Sequence, residues 1–391
     1  MCPSRHRTTL GALGWVALGA AALSLGCGHS IGPGLAENYQ DGFDFLKPPK
    51  CSDPPSDPAP ADAVVVRYLG AGGLYVGWRG KAILAGPFFS NPNLLRIGLG
   101  RMRIDREAIS RGLAGVPTDL VGAILVGHSH YDHLGDVPVV AELARGSTIL
   151  VNRSGVAALE AYPELEARVR AVEPLAGSWS VLYDAYGDLL PFRIYPVPSD
   201  HAPHFDSTTL MDGETRPFER PWEEKRYRAL RTGRTHALVI DLLDAPNPEA
   251  EVRFRILYQD AASPAPAEGL PLDRPYDLAV LCAASADLVP AYPRRVLKNA
   301  EPAHTLVTHY ENFFADWGPG HRFVIRLTRK KMHAFLEEVD AALARAGDEP
   351  PGPIGKACGP SARRWTIPLV GEWMTFRPSL PGEAGSQPAS R

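Results

Sequence analysis

No charge of one sign dominates this chain. Its 391 residues carry 41 Lys and Arg against 44 Asp and Glu, a formal net charge of −3. The basic surplus or stripe that marks a nucleic-acid binder is therefore missing. No repeat at a fixed period is visible, which sets aside repeat architectures. Cysteine is scarce, with five residues, and no apolar run beyond the N-terminus suggests a membrane span. What remains is ordinary globular composition, 45% hydrophobic and 22% charged, enough to bury a large core as one large or two modest domains. Abundant proline (38) and glycine (37) point to many loops.

The N-terminus reads as an address. Arg5, His6 and Arg7 precede an apolar run from Leu10 to Leu25, followed by Gly26 and Cys27, the plan of a secretory signal peptide. Ser24-Leu25-Gly26-Cys27 resembles the lipobox of bacterial lipoproteins, although leucine stands at −2 and not −3. The expectation is an exported chain, residues 1–27 being the signal, anchored to the cell envelope through lipid on Cys27 or else secreted. Residues 28–62 are polar and proline-rich and read as a tether or arm. Cys282 follows the apolar Leu278-Ala279-Val280-Leu281 and reads as a core residue. Cys51 and Cys358 are expected to form a disulfide in an oxidising compartment.

The informative stretch is His128-Ser129-His130-Tyr131-Asp132-His133, directly after the apolar run Leu120–Val126. Three imidazoles and a carboxylate in six residues fit neither a helix face nor a strand face. A loop leaving a buried strand can instead turn them toward one point, as a divalent metal site requires. Further apolar runs end in residues of the same kind: His201 after Phe192–Val197, Asp260 after Val252–Tyr258, and His309 after His304–Thr308. Loops at the ends of strands are where a rigid sheet gathers distant residues. His204 competes with His201, which lies nearer its strand and is favoured on that ground. Asp200 and Glu311 are candidates to orient imidazoles, and Tyr131 to line the pocket or pack beneath it.

Other runs supply a scaffold. Strands are expected at Ala63–Leu69, Leu74–Trp78 and Lys81–Leu84, joined by glycine turns. Asn93 to Pro117 reads as a loop excursion with a short helix from Asp105 to Leu113, and Asp206 to Thr235 as an irregular insertion. Lys330 to Arg345 carries Met332, Phe335, Val339 and Leu343 at helical spacing. A single last strand is expected within Trp365–Phe376, with a polar tail over 377–391.

The His-x-His-x-Asp-His motif, with later His, Asp and His at strand ends in that order, resembles the metallo-β-lactamase-fold hydrolase superfamily. Tyr68-Leu69-Gly70 and Ile83–Phe89 resemble its first hairpins, and His309-Tyr310-Glu311 resembles its phospholipase-D-like and lactonase-like branch. The resemblance covers residues 63–376. It implies an α/β fold, a four-layer αββα sandwich of two mixed β-sheets. It further implies two divalent metal ions, zinc before manganese or iron. His128, His130 and His201 would hold one ion and Asp132, His133 and His309 the other, with Asp260 bridging. Hydrolysis would use a hydroxide shared by the two ions, which Asp132 could help position; Asp132 and His309 are the residues expected nearest the chemistry. Phosphodiester or phospholipid-like esters are the expected substrates, small molecules or lipids, with lactone or β-lactam rings as the alternative. A non-catalytic, metal-containing binding lipoprotein is the reading from another class. The chain departs from the family at Ala85-Gly86-Pro87, where an aspartate usually precedes the proline.

Overall fold

The computed structural model describes residues 62–318, 323–344 and 364–378. The expected signal peptide, lipid-bearing Cys27, all but the last residue of the tether, the polar tail beyond residue 378 and the Cys51–Cys358 disulfide lie outside those residues.

Among the described residues, fourteen strands form two sheets. The first holds β1 (Val64–Gly70), β2 (Gly73–Trp78), β3 (Lys81–Ala85), β4 (Val121–Leu125), β5 (Thr148–Val151), β6 (Val169–Ala171) and β14 (Trp373–Phe376), in the order β14-β1-β2-β3-β4-β5-β6. The second holds β7 (Ser180–Tyr183), β8 (Leu189–Ser199), β9 (Thr235–Leu243), β10 (Val252–Tyr258), β11 (Leu278–Cys282), β12 (His304–Thr308) and β13 (Trp365–Thr366), in the order β13-β12-β11-β10-β9-β8-β7. Both sheets are mixed, and both follow one plan. Read from β14 and from β7, three antiparallel pairings give way to three parallel ones. This is the two-sheet sandwich expected, and its internal symmetry left no periodic trace in the sequence.

The central strands are buried along their whole length: β2, β4, β9 and β11 expose no residue. Strands covered on both faces need near-continuous apolar sequence, which is why these runs do not alternate. Across the sandwich the Trp78 indole donates to the Leu243 carbonyl at 2.7 Å. The Phe254 and Phe376 rings meet at 6.1 Å. The helix Arg329–Leu343 buries Met332, Phe335, Leu336, Val339 and Leu343, the expected face, and joins the helix Arg294–Ala300 through Arg294 and Glu338. Among the described residues no helix is long and apolar enough to cross a membrane.

Three expectations about elements need correction. The single last strand is two short ones in different sheets: β13 pairs parallel with β12, and β14 antiparallel with β1. Pro368, which has no N–H to donate, and Gly371, at φ 89°, break the run and carry the chain from one sheet to the other. The loop excursion contains a helix, Leu94–Leu99, whose N-cap Asn93 accepts from the Arg96 N–H at 2.9 Å. That helix buries none of its residues, so no apolar periodicity announced it. Strand β6 was missed because three residues carry too little pattern to read.

Candidate metal centre

The motif loop is built by what surrounds it. After β4 the chain turns at Gly127, and Tyr131–Leu134 forms one helical turn with His130 at its N-cap. The loop is held by its backbone and by Asn152. The Ser129 N–H donates to the Thr232 carbonyl at 2.9 Å. Fully buried Asn152 accepts from the Ser129 hydroxyl at 2.5 Å and donates to the carbonyls of Thr232 and Arg234, both at 2.8 Å. Three residues on, the Asp136 carboxylate accepts from the backbone N–H groups of Phe89 (2.6 Å) and Ser90 (2.8 Å), tying the motif to the loop after β3.

All seven candidate ligands come together. Three groups bring ligand atoms within 4.8 Å of one another: His128 with His130 and His201; Asp132 with His133 and His309; and Asp260 with His128 and His133. The first two groups are the two ligand sets expected from the sequence. The third puts Asp260 between them, its oxygens 3.1 Å from His128 Nδ1 and 3.7 Å from His133 Nδ1. The Asp132 carboxylate lies 3.8 Å from His133 Nε2 and 3.5 Å from His309 Nε2.

Hydrogen bonds fix which ring nitrogen offers a lone pair. His128 Nδ1 faces the Asp260 carboxylate, so it carries the proton, and buried Nε2 is left without a partner. His201 Nδ1 lies 2.6 Å from the Ala202 carbonyl, which can only accept, so Nε2 is free. His130 Nε2 lies 3.0 Å from the Thr232 hydroxyl, which spends its own proton on the Met211 carbonyl at 3.1 Å. His130 therefore donates through Nε2 and presents Nδ1. His130 and His201 are set by partners outside the cluster and His128 by Asp260 within it; such hydrogen bonds tune metal-ligating histidines. The Nδ1 atoms of His133 and His309 are also buried without hydrogen-bond partners. An unpaired buried nitrogen is costly, and a divalent cation at His128 Nε2 would satisfy it; His133 and His309 turn Nε2 toward Asp132. The donor set fits such an ion.

Electrostatics agree with that fit. Burial and then the neighbouring His201 hold His128 and His130 well below the usual histidine range. Burial and His128 lower His133 to about 3, and burial and His204 lower His201 to about 4. These rings are neutral at pH 7 and keep their lone pairs. For Asp132, burial pushes upward, but the imidazoles of His133 and His309 outweigh it and hold the carboxyl well below the carboxylate range. For His309, burial pushes downward, but the hydrogen bond and charge of Asp132 prevail and raise it. Burial raises the Asp260 carboxyl against the pull of His133.

The remaining candidates separate. His204 stays outside the ligand groups: its ring stacks on His201 at 5.0 Å, and its Nδ1 accepts from the Leu210 N–H at 3.0 Å. Tyr131 packs beneath the loop, edge-on to Phe88 and Tyr227. Asp200 is exposed and orients no imidazole. Glu311 is buried but holds no imidazole either; it works one step back. It accepts from the Tyr68 hydroxyl at 2.5 Å, and that hydroxyl accepts the His309 N–H at 2.8 Å. His309 has φ 55°, a left-handed backbone that a branched side chain rarely adopts, and this pair secures it. Thr232, Asn152 and Tyr68 are the supporting residues the sequence reading missed. Thr232 sits in the irregular insertion, where no pattern pointed to it.

Gly86, which stands where the resemblance expects aspartate, has φ 49°. A Cβ there would lie 2.8 Å from the Tyr258 hydroxyl and 3.3 Å from His133 Nδ1. The tyrosine fills the space an acidic side chain would need, and Asp260 is the carboxylate beside His133 Nδ1.

No protein-family model matches the chain, and no curated protein matches it. Solved structures do. Igni18, described as a novel metallo hydrolase from the hyperthermophilic archaeon Ignicoccus hospitalis KIN4/I, is 14% identical over 80% of this chain and 98% of its own, with a TM-score of 0.46. YhfI, a metallo-beta-lactamase fold protein from Bacillus subtilis, is 12% identical over 81% of this chain and all of its own (TM-score 0.42). CmlA of Streptomyces venezuelae, a diiron beta-hydroxylase, is 13% identical over 82% of this chain and 55% of its own (TM-score 0.42). At such low similarity these matches carry no argument about activity, which must come from the site.

Proposed function

We propose that this chain has the metallo-β-lactamase fold and is a dinuclear metal-dependent hydrolase acting on phosphodiester or phospholipid-like esters. One observation carries the reading: the two ligand groups are joined by a third, in which Asp260 meets a histidine from each. His128, His130 and His201 would hold one divalent ion and Asp132, His133 and His309 a second. A structural metal usually closes its shell with four Cys and His ligands; seven His and Asp residues exceed that need.

The bound ions would supply Lewis acidity toward a phosphoryl or carbonyl oxygen and lower the pKa of water toward about 7. The protein's part follows from its own groups. Neutral imidazoles leave the ions' charge undiminished. Asp132, ionised at neutral pH, can accept a proton-bearing group of water or substrate and orient it. His309, with Nε2 3.5 Å from the Asp132 carboxylate, would stand beside it at the second ion. No serine or cysteine nucleophile is required. The choice of lipid-like esters rests on the expected export and lipid anchor, which would set the site beside a membrane.

The test is turnover by the zinc-, manganese- or iron-loaded protein of bis-p-nitrophenyl phosphate, phospholipids, lactones and nitrocefin. Phosphodiester turnover that His130→Ala abolishes supports the reading; no turnover with any ion, or full turnover by His130→Ala, overturns it.

A further inference from the structure

A cavity of about 440 Å³, within the range of small-molecule sites, adjoins the metal-ligand cluster and shares His201 and Thr232 with it. It opens where β8 ends and β9 begins, at the paired residues Pro198 and His236. Two of its lining residues carry buried polar atoms without partners. His236 is only 4% exposed, and its Nδ1 is buried without a partner. Glu173 accepts the Arg153 N–H on Oε1 at 2.8 Å, which fixes the carboxylate, while Oε2 is buried and unpaired. The carboxylate oxygen can only accept, and an imidazole nitrogen accepts in one of its two tautomers.

Charge points the same way. Exposed Asp200 and Asp212 also line the cavity, so three carboxylates face one guanidinium, that of exposed Arg234. A bare metal ion is the wrong occupant. Among the described residues, no group with ligand atoms within 4.8 Å of one another includes Glu173 or His236. Spread acceptors of negative charge suit a molecular cation with several N–H donors.

We propose that this cavity receives a primary ammonium group of the substrate, placing the ester attached to it at the His/Asp cluster. The proposal rests on the hydrolase reading and adds the substrate class: amine-bearing esters. A quaternary ammonium has no N–H to give Glu173 Oε2 and should fit less well.

Ligand-observed NMR on the metal-loaded full chain, with ethylammonium, tetramethylammonium, ethanol and acetate as probes, tests this. Ethylammonium is expected to bind in preference to the other three, and Glu173→Gln to weaken it about tenfold, the loss of one charge-assisted hydrogen bond. Undetectable ethylammonium binding, a preference for acetate or ethanol, or equal binding by a folded Glu173→Gln variant would overturn the proposal. Should that variant not fold, the selectivity of the native chain decides alone. Ethylammonium contains no ester. Phosphodiester turnover without ethylammonium binding therefore removes only this subsite, and binding without turnover removes only the hydrolase reading.

Discussion

Substituting Gly127 by alanine should disable the metal centre while sparing the fold. Gly127 has an ordinary φ, so alanine meets no backbone penalty. The obstacle is Asp260: a Cβ at position 127 would stand 2.6 Å from both of its carboxylate oxygens. To restore van der Waals separation the carboxylate must retreat by about 1 Å. That lengthens the 3.1 Å hydrogen bond to His128 Nδ1 beyond useful reach. It also removes the residue that meets both ligand groups. Overpacking of this kind costs about 1–3 kcal/mol of stability, which a chain with so large a buried core should survive. Loss of the partner that orients a ligating histidine typically costs about 10- to 100-fold in metal affinity. Zinc titration against a competing chelator, with a thermal melt of the apoprotein alongside, reads both. The reasoning fails if Gly127→Ala binds zinc within twofold of the native chain.

Other outcomes follow from the supporting residues. Thr232→Val should leave His130 Nε2 unpaired and weaken metal binding about tenfold in the same titration, whereas Thr232→Ser should stay near native. Tyr68→Phe strips the acceptor from the His309 N–H and the donor from Glu311. It should lower stability by about 2 kcal/mol in denaturant unfolding, and a loss below about 0.5 kcal/mol would contradict the role given to Tyr68. Burial lowers His304, far from the cluster in the sheet, to about 4. Its neutral form is favoured by folding, so its contribution is complete above pH 6.5 and is lost as pH falls toward 4. Full burial would make this about 3 kcal/mol; partial exposure reduces it to about 1–2. Melts from pH 8 to 4.5 should therefore show a shallower decline for His304→Gln than for the native chain.

The grouping of the candidate ligands was legible because each stands at the end of an apolar run. The sheet then does what the sequence pattern implies, delivering His201, Asp260 and His309 to the motif loop. The choice of His201 over His204 also follows from nearness to β8. What escaped reading has physical causes. Thr232 acts through a hydroxyl in an unpatterned insertion, and Tyr68 is an apolar-looking strand residue whose role depends on a backbone N–H far along the chain. Glu311 lies two residues after His309 in sequence yet faces Tyr68, because the left-handed turn at His309 redirects the chain. The last strand was misread because proline and glycine can divide one run between two sheets, a decision made by tertiary pairing.

The central claim is a two-ion site. Metal content per chain, measured by inductively coupled plasma mass spectrometry after zinc loading and gel filtration, tests it most directly. The account predicts two ions in the native chain and a loss of at least one in Asp260→Ala; one ion or none in the native chain would contradict it.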